Sequence, residues 1–168
     1  MQTLIGVIGS ANASKPLVEA AFEAGREVIK AGYILLCGGL GGVMEAACRG
    51  AHSVAGNNSG RIIGIIPSAD KRDANPYADI VIATGMGYAR NMIVACASDA
   101  LIAVGGGSGT MSEIAMAWQY GKPIVVIEGL PGTAGELAGK SLDERRVDTI
   151  AGVKTAAEAI SFIRKTLR

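Results

Sequence analysis

The chain has 168 residues, a formal net charge of +1 and 24 glycines; hydrophobic residues make up 49% and aromatic residues only 4%. That length suits a single domain over residues 1–168 with an aliphatic core of its own. The near-balanced charge, with no basic stripe, argues against nucleic-acid binding, and no apolar run reaches the roughly 20 residues that cross a bilayer, so no membrane partner is expected. The three cysteines, Cys37, Cys48 and Cys96, are odd in number and far apart, with no CxxC. They are expected to be reduced core thiols in a cytoplasmic protein. Met1 to Gly9 enters an apolar run with no cationic segment ahead, which is not a signal-peptide pattern.

Short apolar runs alternate with helical patterns along the chain. Leu4 to Ile8 reads as the first strand. Ser14 to Ala31 reads as a helix, with Leu17, Ala20, Ala21, Ala24 and Val28 on one face, Ser14 as N-cap and Gly32 as the stop. The strand Tyr33 to Cys37 and a helix over Val43 to Ala51 follow, with His52 at the helix end. Strands at Arg61 to Ile66 and Ile80 to Ala83 precede a helix over Tyr88 to Ala97. Ala100 to Val104 is a strand, Thr110 to Tyr120 a helix and Ile124 to Ile127 a strand. A short edge strand is expected around Arg146 to Ile150, and Thr155 to Leu167 reads as the last helix. Residues 57–60, 67–77 and 129–143 read as loops. Several runs are apolar at nearly every position, as strands buried on both faces are. The alternation predicts an α/β, Rossmann-like, doubly wound parallel sheet of six to seven strands with helices on both faces. Ligands sit at the carboxyl ends of such strands.

The glycine clusters fall at those ends. Gly105-Gly106-Gly107-Ser108-Gly109-Thr110 follows the strand Ala100 to Val104 and opens a helix. Glycines let backbone N–H groups approach an anion, and the helix N-terminus adds partial positive charge, so phosphate is the expected guest. A tight turn without a ligand is the alternative, although one glycine often suffices for that. Gly38-Gly39-Leu40-Gly41-Gly42 and Gly9-Ser10-Ala11-Asn12 are further small-residue turns at the same sheet edge. Gly9, Ser10, Gly39 and Gly41 are therefore expected to share the pocket with Gly105, Gly106, Gly107, Ser108, Gly109 and Thr110.

Two charged residues flank the main loop. Thr110-x-x-Glu113 is a capping-box pattern, so spacing leaves Glu113 open as a helix cap or as a chemical group. Arg90, in Gly85-Met86-Gly87-Tyr88-Ala89-Arg90-Asn91, opens a helix whose dipole disfavours a cation there; it is a site residue or a solvated surface arginine. Neither glycine cluster completes the dinucleotide fingerprint, because Met44 and Thr110 stand at its last position. Ala134-x-x-x-x-Gly139-Lys140-Ser141 is a relaxed P-loop that no apolar helix follows, and it is set aside. His52 has no ligand-spaced partner, and no metal site is expected.

These motifs together resemble the LOG-like superfamily, whose members often carry a lysine decarboxylase label of little chemical basis. The family loop reads proline-glycine-glycine-x-glycine-threonine-x-x-glutamate. Gly105 to Glu113 matches it with glycine in place of the proline, and Gly38-Gly39 with Gly42-Val43-Met44-Glu45-Ala46 matches its first glycine segment. Arg90-Asn91 stands at the family arginine, and the similarity spans about Ile5 to Ile127. One branch hydrolyses the N-glycosidic bond of nucleoside 5′-monophosphates, with its arginine and glutamate falling on Arg90 and Glu113 as catalytic residues. Another branch carries molybdenum cofactor without turning it over, and the 85–91 and 104–110 segments are closer to that branch. The resemblance implies a binding protein for a phosphorylated, nucleotide-like ligand: phosphate, an AMP-like nucleotide or molybdenum cofactor. The alternatives are a phosphoribohydrolase and a scaffold retaining only the fold; lysine decarboxylation is not expected. The resemblance also implies a homodimer or higher homo-oligomer. Met111, Ile114, Met116 and Trp118 give the fourth helix apolar surface suited to that or to the core.

Overall fold

The computed structural model describes residues 1–167. Seven parallel strands form one sheet: β1 (Leu4–Gly9), β2 (Ile34–Cys37), β3 (Ile62–Ile66), β4 (Ile80–Ala83), β5 (Ala100–Val104), β6 (Ile124–Ile127) and β7 (Ala151–Val153). Among the described residues, α1 (Lys15–Lys30), α2 (Val43–Ala55), α3 (Arg90–Ala97) and α4 (Ser108–Gln119) lie between strands, and α5 (Ala156–Thr166) follows β7. This is the doubly wound α/β arrangement that the sequence predicts. The spatial order is β4-β3-β2-β1-β5-β6-β7. The chain therefore leaves β1 toward one edge and returns to β1's other side at β5. The crevice above β1 and β5 is the topological switch point, where open α/β sheets bind ligands.

The inner strands β2, β5 and β6 bury both faces. Ala100, Ile102 and Val104 of β5 pack toward α1, α2 and α5. Leu101 and Ala103 pack toward α3 and α4. Side chains such as Leu101 and Ile102 are fully buried, each contributing about 1.5–3 kcal/mol. Within the first layer α1 and α2 touch backbone to backbone. A Cβ on Gly25 would strike the Ala47 carbonyl, and one on Gly50 would strike the Phe22 carbonyl.

Several boundaries differ from expectation for identifiable reasons. β7 lies at Ala151–Val153, pairing Val125 with Ala151, and not around Arg146 to Ile150. Arg146 instead donates to the Lys122 carbonyl at 2.9 Å and stacks 4.2 Å above the Trp118 ring, while Trp118 Nε1 donates to Asp143 at 2.9 Å. These contacts strap residues 143–148 over the end of α4. α2 runs on to Ala55, placing His52 in its last turn with its ring 5.7 Å from that of Tyr77. α4 begins at Ser108, two residues before the predicted start, with Gly107 as N-cap. The loop segments contain 3-10 turns at Lys71–Asp73 and Ala134–Leu137, and another, Gly87–Ala89, leads into α3. Ser14 is the N-cap of α1, but its side chain makes no capping bond.

On α4, Ile114 and Trp118 are buried and Met111 and Met116 half-buried. Exposed large apolar side chains lie instead on β4 (Ile80, Ile82) and around the start of α3 (Met86, Tyr88, Met92). Among the described residues, no helix is long and apolar enough to cross a membrane.

Candidate functional site

After β5, Gly105 and Gly106 adopt φ of +59° and +96°. A Cβ on Gly105 would lie 2.5 Å from the Pro131 carbonyl, and one on Gly106 would lie 2.5 Å from Thr110 Cβ. Their carbonyls accept from the Ala134 and Thr133 backbone N–H groups at 3.3 and 3.0 Å. These two glycines thus turn the chain and seat the 131–134 loop. The first helical bond of α4 runs from Met111 N–H to the Gly107 carbonyl at 2.9 Å. The N–H groups of Ser108, Gly109 and Thr110 consequently have no acceptor within the helix. They sit at the positive end of its dipole.

A cleft of about 470 Å³ opens there. Of the residues singled out in the sequence, Gly9, Ser10, Arg90, Gly107, Ser108, Gly109, Thr110 and Glu113 line it. Gly39, Gly41, Gly105 and Gly106 do not line it. Gly39 (φ +71°) packs against Ile66, where a Cβ would come within 2.5 Å. At the start of α2 one of the corresponding N–H groups, that of Val43, is already taken by the Ser10 carbonyl at 2.9 Å. Ser10 Oγ accepts from Asn12 N–H at 3.3 Å, shaping the β1 turn.

Arg90 is 7% exposed and Glu113 5%. Arg90 is therefore no solvated surface arginine. Its Nη2 donates to the Gly38 carbonyl at 3.1 Å; Nη1 donates to Asn91 Oδ1 at 2.6 Å and to Glu113 Oε1 at 3.3 Å. Its Nε is buried with no hydrogen-bond partner. Asn91 continues the network, donating from Nδ2 to Ser112 Oγ at 2.9 Å and to the Gly109 carbonyl at 3.4 Å. The start of α3 is thereby bracketed to the start of α4.

Glu113 is not a cap. The N-cap is Gly107, six residues before it, and the carboxylate turns to Arg90. The same Thr-x-x-Glu pattern recurs at α5 and does cap there: Thr155 Oγ1 accepts from Glu158 N–H at 3.2 Å, and Glu158 Oε2 accepts from Lys154 N–H at 2.8 Å. Burial pushes the Glu113 carboxyl up to about 7, against the opposing pull of the Arg90 charge. A carboxyl so placed exchanges a proton near neutrality, as general acids and bases do.

Sequence reasoning did not single out four other residues that shape the site. Leu40, Met44 and Tyr88 line the cleft. Asn75 donates from Nδ2 to the Gly39 and Leu40 carbonyls at 3.2 Å each, pinning the turn after β2. Behind that turn Cys37 and Cys48 are buried with their sulfurs 3.3 Å apart. The hydrogen bond between them lowers the Cys37 thiol, with help from one donated by Gly39 N–H, while the same bond and burial raise that of Cys48. Among the described residues, no group of three or more His, Cys, Asp or Glu side chains is gathered to hold a metal ion.

A sheet of this order, with a glycine-opened helix N-terminus over its switch point, defines a Rossmann-type domain. The sequence profile of the SLOG cluster4 family matches residues 2–160, and the chain belongs to that family. It is similar to the molybdenum cofactor binding protein of the phototrophic bacterium Rippkaea orientalis, with 31% identity and a TM-score of 0.86 over 100% of this chain and 99% of that one. It is also similar to the molybdenum cofactor carrier protein of Chlamydomonas reinhardtii, with 34% identity and a TM-score of 0.81 over 99% of each chain. The cytokinin riboside 5′-monophosphate phosphoribohydrolase of Mycobacterium tuberculosis is 34% identical over 120 residues, 67% of this chain and 63% of that protein.

Proposed function

We propose that this chain is a cytoplasmic binding protein for a phosphorylated, nucleotide-like small molecule, of the kind held by molybdenum cofactor carriers. One observation carries the reading. Three acceptor-free N–H groups at the start of α4 meet a cleft whose floor holds a buried arginine with an unpartnered Nε. Such donors fit the phosphate end of an AMP-like nucleotide or of molybdenum cofactor. Ser108, Gly109 and Thr110 supply the backbone donors, and Ser10 and Asn12 face them across the cleft. When bound, the molybdenum cofactor would bring its own metal chemistry; the residues here hold, orient and shield. Calorimetric titration with AMP, other nucleotides and molybdenum cofactor tests the reading. Saturable binding of at least one is expected, and no binding to any overturns it.

A second reading has its own support. Burial pushes the Glu113 carboxyl beside the cleft up to about 7, and the chain is 34% identical over 120 residues to the Mycobacterium tuberculosis hydrolase. As a phosphoribohydrolase, the protein would use Glu113 to stabilise the oxocarbenium-like state or activate water, with Arg90 orienting it. Chromatography of AMP and cytokinin monophosphates after incubation decides: free base that disappears in Glu113→Ala establishes turnover, and none at high protein concentration excludes it for those substrates.

The assembly we propose is a homodimer. Ile80 and Ile82 on the edge strand β4 are 43% and 46% exposed, and Met92 on α3 is 48% exposed. The register pairs Ile80 with Ile63 and Ile82 with Ile65, which places both on the α3 side of the sheet. A second copy would cover this surface. Sedimentation equilibrium should give a dimer that Ile82→Asp dissociates; a monomeric wild type overturns the proposal.

A further inference from the structure

The cleft has two chemically different ends. On the β5 side lie Ser108, Gly109 and Thr110, with their free N–H groups. On the β2 side lie Leu40, Met44 and Tyr88, contributed by the turn after β2, the start of α2 and the turn before α3. Arg90 and Glu113 lie between, since the guanidinium reaches both the Gly38 carbonyl and α4.

Tyr88 is 90% exposed, although it borders this cleft. Its backbone is nevertheless held firmly. Gly85 N–H donates to the Ser68 carbonyl and Gly87 N–H to the Pro67 carbonyl, each at 3.0 Å, and Ala89 N–H closes the turn on the Met86 carbonyl at 3.2 Å. Gly85 and Gly87, on either side of Met86, take φ of +63° and +55°, so the two glycines leading into Tyr88 set a bend that other residues rarely adopt. An aromatic side chain on a fixed turn, with both ring faces free, is a preorganised stacking surface. Met44 and Leu40 add polarizable and apolar contact beside it.

We infer that Tyr88, with Leu40 and Met44, forms the subsite for a planar heteroaromatic ring and sets specificity for ligands that carry one. This rests on the phosphate-binding reading above. The phosphate docks at α4, the sugar or linker passes Arg90 and Glu113, and the ring stacks on Tyr88.

The test compares AMP with ribose 5-phosphate, which lacks the ring, by calorimetry on wild type, Tyr88→Ala and Tyr88→Phe. Wild type should bind AMP more tightly than ribose 5-phosphate. Tyr88→Ala should lose about 10-fold or more in AMP affinity, as removal of a stacking aromatic does, with ribose 5-phosphate unchanged; Tyr88→Phe should retain AMP binding. Equal wild-type affinity for the two ligands overturns the ring subsite while leaving the phosphate site standing. Parallel loss of both ligands in Tyr88→Ala, or a change in sedimenting mass, assigns Tyr88 to structure or assembly and overturns it too. Failure of wild type to bind either ligand overturns this inference, while the phosphate reading stands or falls by the wider titration above.

Discussion

Arg90 at the start of α3 and Glu113 inside α4 form a buried ion pair, Nη1 to Oε1 at 3.3 Å, in which the arginine also holds the turn after β2 through the Gly38 carbonyl. One side chain thus ties together three segments that wall the cleft. The pair stands on the cleft floor, so its behaviour reports on both stability and ligand binding.

Removing the cation should cost more than removing the anion. Arg90→Ala leaves the Gly38 carbonyl, Asn91 Oδ1 and Glu113 without their donor in a buried site. A loss of about 3–5 kcal/mol in urea unfolding is expected. Arg90→Lys should recover only part of it, because an ammonium lacks the fork that reaches three acceptors in different directions.

The Glu113 carboxyl gives stability a pH dependence with a definite sign. Its folded value is raised from the ordinary 4.5 to about 7. Between those values the unfolded chain has released the proton and the folded chain still holds it. The contribution is therefore complete below about 4.5 and is lost as pH rises through about 7. Thermal melts from pH 4 to 8 should show wild type losing ground to Glu113→Gln across that window, with a constant difference above it.

The main loop divides into a hinge part and an open part. At Gly106, with φ +96°, alanine would strain the backbone and press on Thr110. Gly106→Ala should lose about 1–3 kcal/mol. At Gly107 an added Cβ has nothing within 4 Å and would stand at the cleft. Gly107→Ala should keep its unfolding midpoint and lose affinity for the phosphorylated ligand. Paired denaturation and calorimetry check both outcomes.

Thiol reactivity should follow burial. Cys37 and Cys48 are buried and Cys96 is half-buried. Iodoacetamide on the native protein should modify Cys96 first, and all three should react in denaturant, read by intact mass. The lowered Cys37 thiol does not alter that order, since access limits it.

The strands β1 to β6 were legible because they are apolar at nearly every position, and the main loop because glycines cluster where a strand gives way to a helix; β7, the short Ala151–Val153 edge strand, was misplaced. The role of Glu113 was not legible. Thr110-x-x-Glu113 and Thr155-x-x-Glu158 are the same local pattern, yet the first lies inside a helix that Gly107 already starts and the second spans a true N-terminus. Only the position of Arg90, 23 residues upstream of Glu113, decides between cap and ion pair. Asn75 was equally hidden, because its partners lie 36 and 35 residues away in sequence and no periodicity links them. Arg146 to Ile150 carries apolar residues suited to a strand, but Arg146 is taken by the Trp118 ring and the Lys122 carbonyl, and Ile150 N–H donates to the Lys140 carbonyl.

The close approaches of Gly25 to Ala47 and of Gly50 to Phe22 bear on how the cleft can breathe. With carbonyls lying where side chains would be, α1 and α2 cannot slide or tilt past each other without collision, and α2 is moored to the Ser10 carbonyl. That layer behaves as a fixed anvil. Widening to admit a guest falls to the opposite layer, where α3 and α4 meet through polar groups that can trade partners.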